Sequence, residues 1–435
     1  MRLLLLTPQL PYPPHQGTTI RNFNLIKHLA PRHEITLLSF GTPEELQNAA
    51  PLRALCQHIE IAPYPTRSLP QRAWMTLTSP LPDMALRLKS DAMHAQVAAR
   101  LREPFDVIQL EGIEMARYIW NIDVGNWKFD NAPTSSSVHH PTSNFQAPIT
   151  VFDDHNAEYV LQRTAFESDA RRLTRWHAAL YSLIQWKKLE RYERACCQRA
   201  RHIVACSDAD ANAIVGLENH EPAIIDLQSK ISVIPNGVDT EFYIPSDAVC
   251  AKPLADLALV FSGKMDFRPN IDAMTWFCDK ILPHIRAEIP RAHIVIVGQK
   301  PAPRILALKR QPGIEVTGWV ADTRPYIADA AVYVVPLRMG SGTRLKVLEA
   351  MAMGKAIVST ARGVEGLPLT PGTEALIADA PEEFARAAIA LLRDPERRRS
   401  LSRAARALVE AKYDWRKIVP EFDQVYASMV RLCAS

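Results

Sequence analysis

The 435-residue sequence has no long apolar run. The stretch nearest the start, Leu3–Leu6 in MRLLLLTPQLPYPP, stops before Pro8. That is too short for a membrane span, which needs about 18 apolar residues or more, or for a signal-peptide core. It suits a buried first strand. The sequence also lacks paired cysteines. Its seven stand at 56, 196, 197, 206, 250, 278 and 433, without the CxxC or Cys/His spacing of a zinc site. Structural zinc and a disulfide framework are thereby excluded, and scattered thiols fit a reducing compartment. No Lys/Arg run with interleaved aromatics appears, and the net charge is only +4. Nucleic acid is therefore not the main partner. A basic patch facing a diphosphate or an anionic membrane remains compatible with that charge. The expectation is a cytoplasmic protein, with peripheral contact at the inner membrane face left open.

Apolar residues make up 47% and charged residues 23% of the chain, the balance of a globular protein. Its length calls for two domains. Short apolar runs alternate with helical patterns, the signature of α/β architecture with parallel sheets and crossover helices. The first half offers strands at Leu3–Thr7, Ile35–Phe40, Ile59–Ala62, Val107–Leu110, Ile149–Phe152, His202–Ala205 and Ile231–Ile234. Helical patterns cover Arg21–Ala30 and a long stretch from about Glu158 to Cys197, and residues 125–148 read as an exposed loop. The second half offers Leu259–Ser262, Ile294–Val297, Ile314–Val316, Val332–Val335, Ile357–Ser359 and Ala375–Ile377. The expected division is a domain over 1–238, a linker over 239–256, a second domain over 257–412, and a C-terminal helix over 413–435 that returns to the first domain. Two open parallel sheets facing each other would place the carboxyl ends of their strands on a cleft.

The most informative segment runs from Val332 to Thr360, VYVVPLRMGSGTRLKVLEAMAMGKAIVST. A buried strand ends at Pro336, a loop comes next with Gly340, Ser341, Gly342 and Thr343, and a helix starts near Leu345. Strand, glycine loop and helix start bring unpaired N–H groups and a positive dipole end to one point, which suits an anion. Lys346 adds a cation there. Glu349, three residues on, shares its face and suits the two hydroxyls of a ribose. The same two residues read equally as an exposed helical ion pair.

This segment resembles the donor-binding signature of the retaining glycosyltransferase family 4, whose fold is GT-B, two Rossmann-like doubly wound domains. The family pattern has two glutamates separated by seven residues before an Ala-Met-Ala-x-Gly helix end. Glu349 with Ala350, Met351, Ala352 and Gly354 matches the second glutamate and the helix end after it, whereas Ser341 stands where the first would be. The run Gly-Ser-Gly-Thr-Arg-Leu-Lys resembles a subgroup of exopolysaccharide and exosortase-associated transferases. Lys346 then stands in for part of the phosphate binding.

Three other stretches carry the same resemblance. In TPQLPYPPHQGTTIRN, Gly17 falls in the loop after strand one, where the family brings backbone near the donor diphosphate; alone it reads as a turn glycine. In SGKMDFRPN, Gly263 and Lys264 fall on the family's Gly-Arg, with Asp266 and Arg268 nearby, and Pro269-Asn270 replaces the usual Lys-Gly. In VTGWV, Gly318 lies in the segment placed against the nucleotide base. On the acceptor side, His155 in VFDDHNAEYV matches a family histidine beside the donor sugar, and Glu111 in FDVIQLEG is a second contact for acceptor or sugar. Asp153-Asp154 also reads as a helix cap.

Asp208-Ala-Asp210 imitates a metal motif, but Ser207 before it reads as an N-cap with acids in the first turn, and no metal is expected. His139-His140 have no partner pattern. Trp176, Trp186 and Tyr192 read as a buried aromatic stripe on a solvated helix, with a membrane-facing role as the other reading.

The resemblance implies a hexosyltransferase-type enzyme that moves a sugar from a nucleotide-diphosphate sugar to a saccharide or lipid-linked acceptor with retention. The leaving diphosphate accepts the acceptor's proton, so the protein supplies positioning and charge stabilisation. Lys264, Lys346, the Gly340–Thr343 amides and Gly17 are the candidates. No cofactor beyond the nucleotide sugar is implied. The rivals are a non-catalytic sugar-nucleotide-binding regulator and a sugar-nucleotide epimerase.

Overall fold

The computed structural model describes residues 1–120, 122, 148–170, 175–217, 226–245, 255–340 and 344–434. The chain forms two compact units, one of residues 1–235 with 419–435, the other of residues 236–418.

The first unit is built on β1 (Arg2–Thr7), β2 (Glu34–Phe40), β3 (His58–Ala62), β4 (Val107–Glu111), β5 (Ile149–Asp154), β6 (His202–Ala205) and β7 (Ile231–Val233). They pair in parallel in the order β3-β2-β1-β4-β5-β6-β7. The centre is buried on both faces: every residue of β4 and all but the first of β1 are buried. Helices on both sides therefore require near-continuous apolar runs, the pattern that makes these strands legible in sequence. Helix α1 (Gly17–Leu29) follows β1, and α2 (Glu158–Ala170), α3 (Trp176–Arg199) and α4 (Asp208–Gly216) follow β5 and β6.

The second unit repeats the design with β8 (Ala255–Ser262), α5 (Arg268–Trp276), β9 (His293–Val297), β10 (Ile314–Gly318), β11 (Ala330–Val335), α6 (Leu345–Ala352), β12 (Ala356–Ser359) and β13 (Leu376–Ile377). Its parallel order is β10-β9-β8-β11-β12-β13. In both sheets the order reverses beside the first strand, between β1 and β4 and between β8 and β11. In open α/β sheets ligands gather outside the carboxyl ends of strands at such points. The last helix, α7 (Trp415–Ala434), contributes residues from Val419 onward to the first unit.

All thirteen expected strands are present within a few residues of their expected ends. Four local expectations change. Helix α1 begins at Gly17 rather than Arg21, because the Gln16 N–H donates to Thr19 Oγ1 and starts the turn early. Gly17 is thus the first helical residue and not a loop residue. The long helix after Glu158 divides into α2 and α3. Asp153 and Asp154 are no helix cap: both end β5, and Glu193 of α3 accepts the Glu158 and Tyr159 N–H groups at the start of α2 (3.0 and 2.9 Å). Of the aromatic stripe on α3, Tyr192 is fully buried and Trp186 is half-buried and stacked on Phe166 (ring centres 6.0 Å apart), while Trp176 is 68% exposed. Ser207 does cap α4, accepting from the Asp210 N–H, and Asp210 in turn accepts from Ala157 N–H. The metal-like Asp-x-Asp is therefore part of a capping arrangement. Most of the expected loop 125–148, including His139 and His140, lies outside the described residues.

Candidate functional site

In the second unit, the loop after β8 and the start of α6 meet. Lys346 Nζ donates to Asn270 Oδ1 (2.8 Å) and lies 4.1 Å from the centre of the Phe261 ring. Asn270 is fixed in turn by donating through Nδ2 to the Lys264 carbonyl (2.8 Å). Gly263 leaves the space: a Cβ there would stand 2.8 Å from Lys346 Nζ and 2.9 Å from Asn270 Nδ2, at a φ of +153° that side chains rarely adopt. Gly298, at the end of β9, passes closer still. A Cβ on it would meet the Gly263 carbonyl oxygen at 1.7 Å, so only glycine fits. The Gly298 N–H donates to the Gly318 carbonyl (3.2 Å), which ties Gly318 to the same loop.

Lys346 and Glu349 are half-buried, unlike an exposed helical pair. Burial pushes Lys346 down to about 7, against the attraction of Glu349. Burial likewise pushes Glu349 up to about 7, against a hydrogen bond with Tyr243 and the charge of Lys346. Tyr243, a short way beyond β7 at the start of the second unit, is thus a partner of Glu349. Arg344 donates to the Gly340 carbonyl (2.9 Å). Ser341, Gly342 and Thr343 lie outside the described residues. Lys264 is about half exposed, with Nζ 3.8 Å from Asp266, and its side chain is not drawn into the Lys346 cluster. Arg268 opens α5.

In the first unit, the ends of β4 and β5 carry a buried polar network. His155 Nε2 is 2.8 Å from Glu111 Oε2. Arg21, from the first turns of α1, grips Asp153 with two bonds, Nε to Oδ2 (2.8 Å) and Nη2 to Oδ1 (3.0 Å). It also donates to the carbonyls of Ile234 and Pro235 and lies over the Phe422 ring. Arg21, Asp153 and Glu111 are all at most 1% exposed. Burial pushes the Glu111 carboxyl up, as does the charge of Asp153, while His155 and Arg21 oppose the shift. Burial alone would lower His155, but its bond to Glu111 and the charges of Asp153 and Glu111 outweigh it and raise it.

Glu111, Asp153 and His155 are also the one trio of potential metal ligands close together among the described residues. The donor set does not suit a cation. Both Asp153 oxygens already hold Arg21, and a charged guanidinium beside the trio opposes a second positive charge.

His155 lines a cavity of about 440 Å³ together with Gln16, Arg87, Glu114, Asp154 and Glu158. Its wall is acidic. Burial and the charge of Glu114 push Glu158 up to about 7. Asp154 is raised by burial and by its neighbour Glu193, with which it shares a hydrogen bond.

The structure therefore assembles Gly263, Gly318 and Lys346 in the second unit, with Glu349 beside them, and Glu111 with His155 in the first. Gly17 shares α1 with Arg21, and its neighbours Gln16 and Thr18 line the same cavity as His155. Sequence reasoning missed Arg21, Asn270, Gly298 and Tyr243 as partners. Gly298 carried a readable signal, a glycine closing a buried strand in IVIVG.

Comparison with known proteins points the same way. Residues 256–394 match the family model "Glycosyl transferases group 1", and residues 127–242 match "Glycosyltransferase Family 4". The chain is 25% identical over 232 residues to a D-inositol 3-phosphate glycosyltransferase of Kribbella flavida, covering 49% of this chain and 53% of that protein. It is 24% identical over 168 residues to an uncharacterized 44.6 kDa protein in the cps region of Klebsiella pneumoniae, covering 37% of this chain and 43% of that protein. The chain thus spans about half the length of the curated relatives it matches. Among solved structures, Anabaena HepE in complex with UDP and glucose superposes at a TM-score of 0.63 and 14% identity, covering 98% of this chain and 100% of that one. Sucrose-phosphate synthase from Thermosynechococcus elongatus superposes at 0.65 and 18%, covering all of both chains. The fold is GT-B.

Proposed function

From a chain that carries two glycosyltransferase segments on a GT-B fold, we propose an enzyme that moves a sugar from a nucleotide-diphosphate sugar to a saccharide or lipid-linked hydroxyl with retention of configuration. One observation carries this reading. Lys346 Nζ is held beside Gly263 by Asn270, at the carboxyl end of β8, with Glu349 one turn further along α6. A cation at a glycine-walled strand end suits a diphosphate, and a carboxylate beside it suits ribose hydroxyls.

In the proposed reaction Lys346, with Lys264 and the backbone before α6, stabilises negative charge on the leaving diphosphate. That diphosphate takes the acceptor's proton, so no metal and no dedicated base is needed. His155 and Glu111 contact sugar or acceptor hydroxyls beside the acidic cavity.

The test is a thermal-shift panel of nucleoside diphosphates and nucleotide sugars on the full chain. UDP comes first, since HepE holds UDP and glucose. A ligand at 100 times its Kd stabilises its site by about 2.7 kcal/mol. The expected result is a shift for one base class that disappears in Glu349→Ala and Lys346→Ala. A folded sample that no nucleotide shifts would overturn the reading. Product formation then separates transfer from epimerisation of the donor or from binding without turnover.

Among the described residues no helix is long and apolar enough to cross a membrane. Peripheral contact with an anionic bilayer is part of the proposal, supported by Leu69, Trp74 and Leu77 on one helix and by Trp176, each 68% exposed or more. Co-sedimentation with anionic vesicles, lost in Trp74→Ser/Leu77→Ser, is the expected outcome. Equal recovery of the variant and the parent with vesicles removes that part of the proposal.

A further inference from the structure

The C-terminal helix α7 reaches the central strands of the first sheet. Phe422 lies beneath Arg21, Asp423 pairs with His33 (2.6 Å), and the Tyr426 hydroxyl donates to Gln109 Oε1 on β4. Gln109 passes the connection on, its Nε2 donating to Glu111 Oε1 (2.5 Å). The other oxygen of Glu111 faces His155 Nε2 at 2.8 Å. Tyr426, Gln109 and Glu111 are each at most 1% exposed, so water does not substitute for a lost partner.

A glutamine amide can face either way, and here the choice matters. With its oxygen on the Tyr426 hydroxyl, Gln109 turns a donor toward Glu111. Reversed, it would set a carbonyl oxygen against the carboxylate, two acceptors face to face in a dry site. The Glu111 carboxylate, an acceptor only, favours this orientation, and the Tyr426 hydroxyl, by donating to the amide oxygen, anchors it there.

We propose that Tyr426 is a positioning residue: by holding the Gln109 amide it orients Glu111, and through Glu111 it keeps the His155 Nε2–H committed inward, leaving Nδ1 as the ring nitrogen for a ligand. The value of this arrangement to catalysis rests on the transferase reading; the arrangement itself does not. Glu111 is also faced by Asn22, whose amide nitrogen lies 2.6 Å from Oε2 once its oxygen and nitrogen are exchanged, and by the charges of Asp153 and Arg21. His155 has Asp153 Oδ2 at 4.0 Å. None of these groups reports the state of Gln109, so the relay can be tested separately from them.

In Tyr426→Phe the Gln109 oxygen loses its donor, and the amide is no longer anchored toward Glu111. Glu111 then loses a donor and binds its own proton more readily, so it holds the imidazolium less well. The readout is ring-nitrogen NMR of the 15N-histidine-labelled full chain, with His155 assigned from the spectrum of His155→Gln. The expected result is a His155 pKa lowered by at least about half a pH unit, with loss of the Nε2–H signature in the neutral ring. Gln109→Met, which removes the amide altogether, is expected to do the same and serves if Tyr426→Phe does not fold. Val425→Ala, a buried change on the same helix without a bond to the relay, is expected to lower the melting temperature and leave His155 unmoved. If His155 titrates as in the parent in both relay variants, or if Val425→Ala shifts it equally, the role of Tyr426 is packing alone and the proposal falls. Because no substrate enters this measurement, its outcome is independent of whether a nucleotide binds or a sugar is transferred.

Discussion

Replacing Arg21 by methionine is expected to cost the first unit about 3–5 kcal/mol, a large share of the stability of a unit this size. Asp153 is fully buried and takes both of its oxygen contacts from Arg21, so the variant leaves a carboxylate in a dry site without its cation. Two further acceptors, the carbonyls of Ile234 and Pro235, lose their donor in the same change. At roughly 2–4 °C per kcal/mol for a unit of this size, the fall in melting temperature is roughly 10 °C, readable by calorimetry as a displaced transition. The double variant Arg21→Met/Asp153→Leu is expected to recover most of the loss, because no charge is then stranded. A loss below about 1 kcal/mol in the single variant would mean that the pair is solvated and not the anchor between α1 and β5.

Nucleotide affinity is expected to fall about tenfold between pH 7 and pH 8.5, and the fall is expected to vanish in Lys346→Met. Burial holds Lys346 near 7 in the free protein, so half its molecules carry a charge at neutral pH and few do at 8.5. A diphosphate beside it would restore the charge, so binding takes up a proton, measurable by titration calorimetry in buffers of different ionisation enthalpy. Lys346→Met is expected to weaken binding about 10- to 100-fold at pH 7, the worth of a charge-assisted hydrogen bond. Glu349→Gln is expected to weaken binding yet keep the slope. A flat pH profile in the parent would place the diphosphate elsewhere.

The same two residues act on stability with opposite signs. Lys346 is depressed from 10.5 to about 7, so between those values the unfolded chain holds more protons and stability rises with pH. Glu349 is raised from 4.5 to about 7, so between those values the folded chain holds more protons and stability falls as pH rises. Both destabilising terms come from keeping ionisable groups in a half-buried site.

The periodic part of this protein is legible from residue order. Parallel strands buried on both faces must be nearly continuous apolar runs, and β1, β4, β8 and β11 announce themselves for that reason. The glycines that end strands and the Lys346–Glu349 pair on the first turns of α6 were legible too, since their spacing is local. Boundaries were less so: α1 starts at Gly17 through a hydrogen bond between Gln16 and Thr19 that no hydrophobic pattern records.

The polar partners were settled by the assembled fold. Arg21 meets Asp153 across 132 residues, Lys346 meets Asn270 across 76, and Tyr426 meets Gln109 across 317. Each lies on an element whose own pattern explains it fully, Arg21 as one more polar residue of an amphipathic helix, Tyr426 as one more buried aromatic. Local periodicity reports which face of an element is buried, because burial is a property of one element and its solvent. Which polar group stands opposite on that buried face depends on strand order and helix docking, and these exist only once the whole chain has folded.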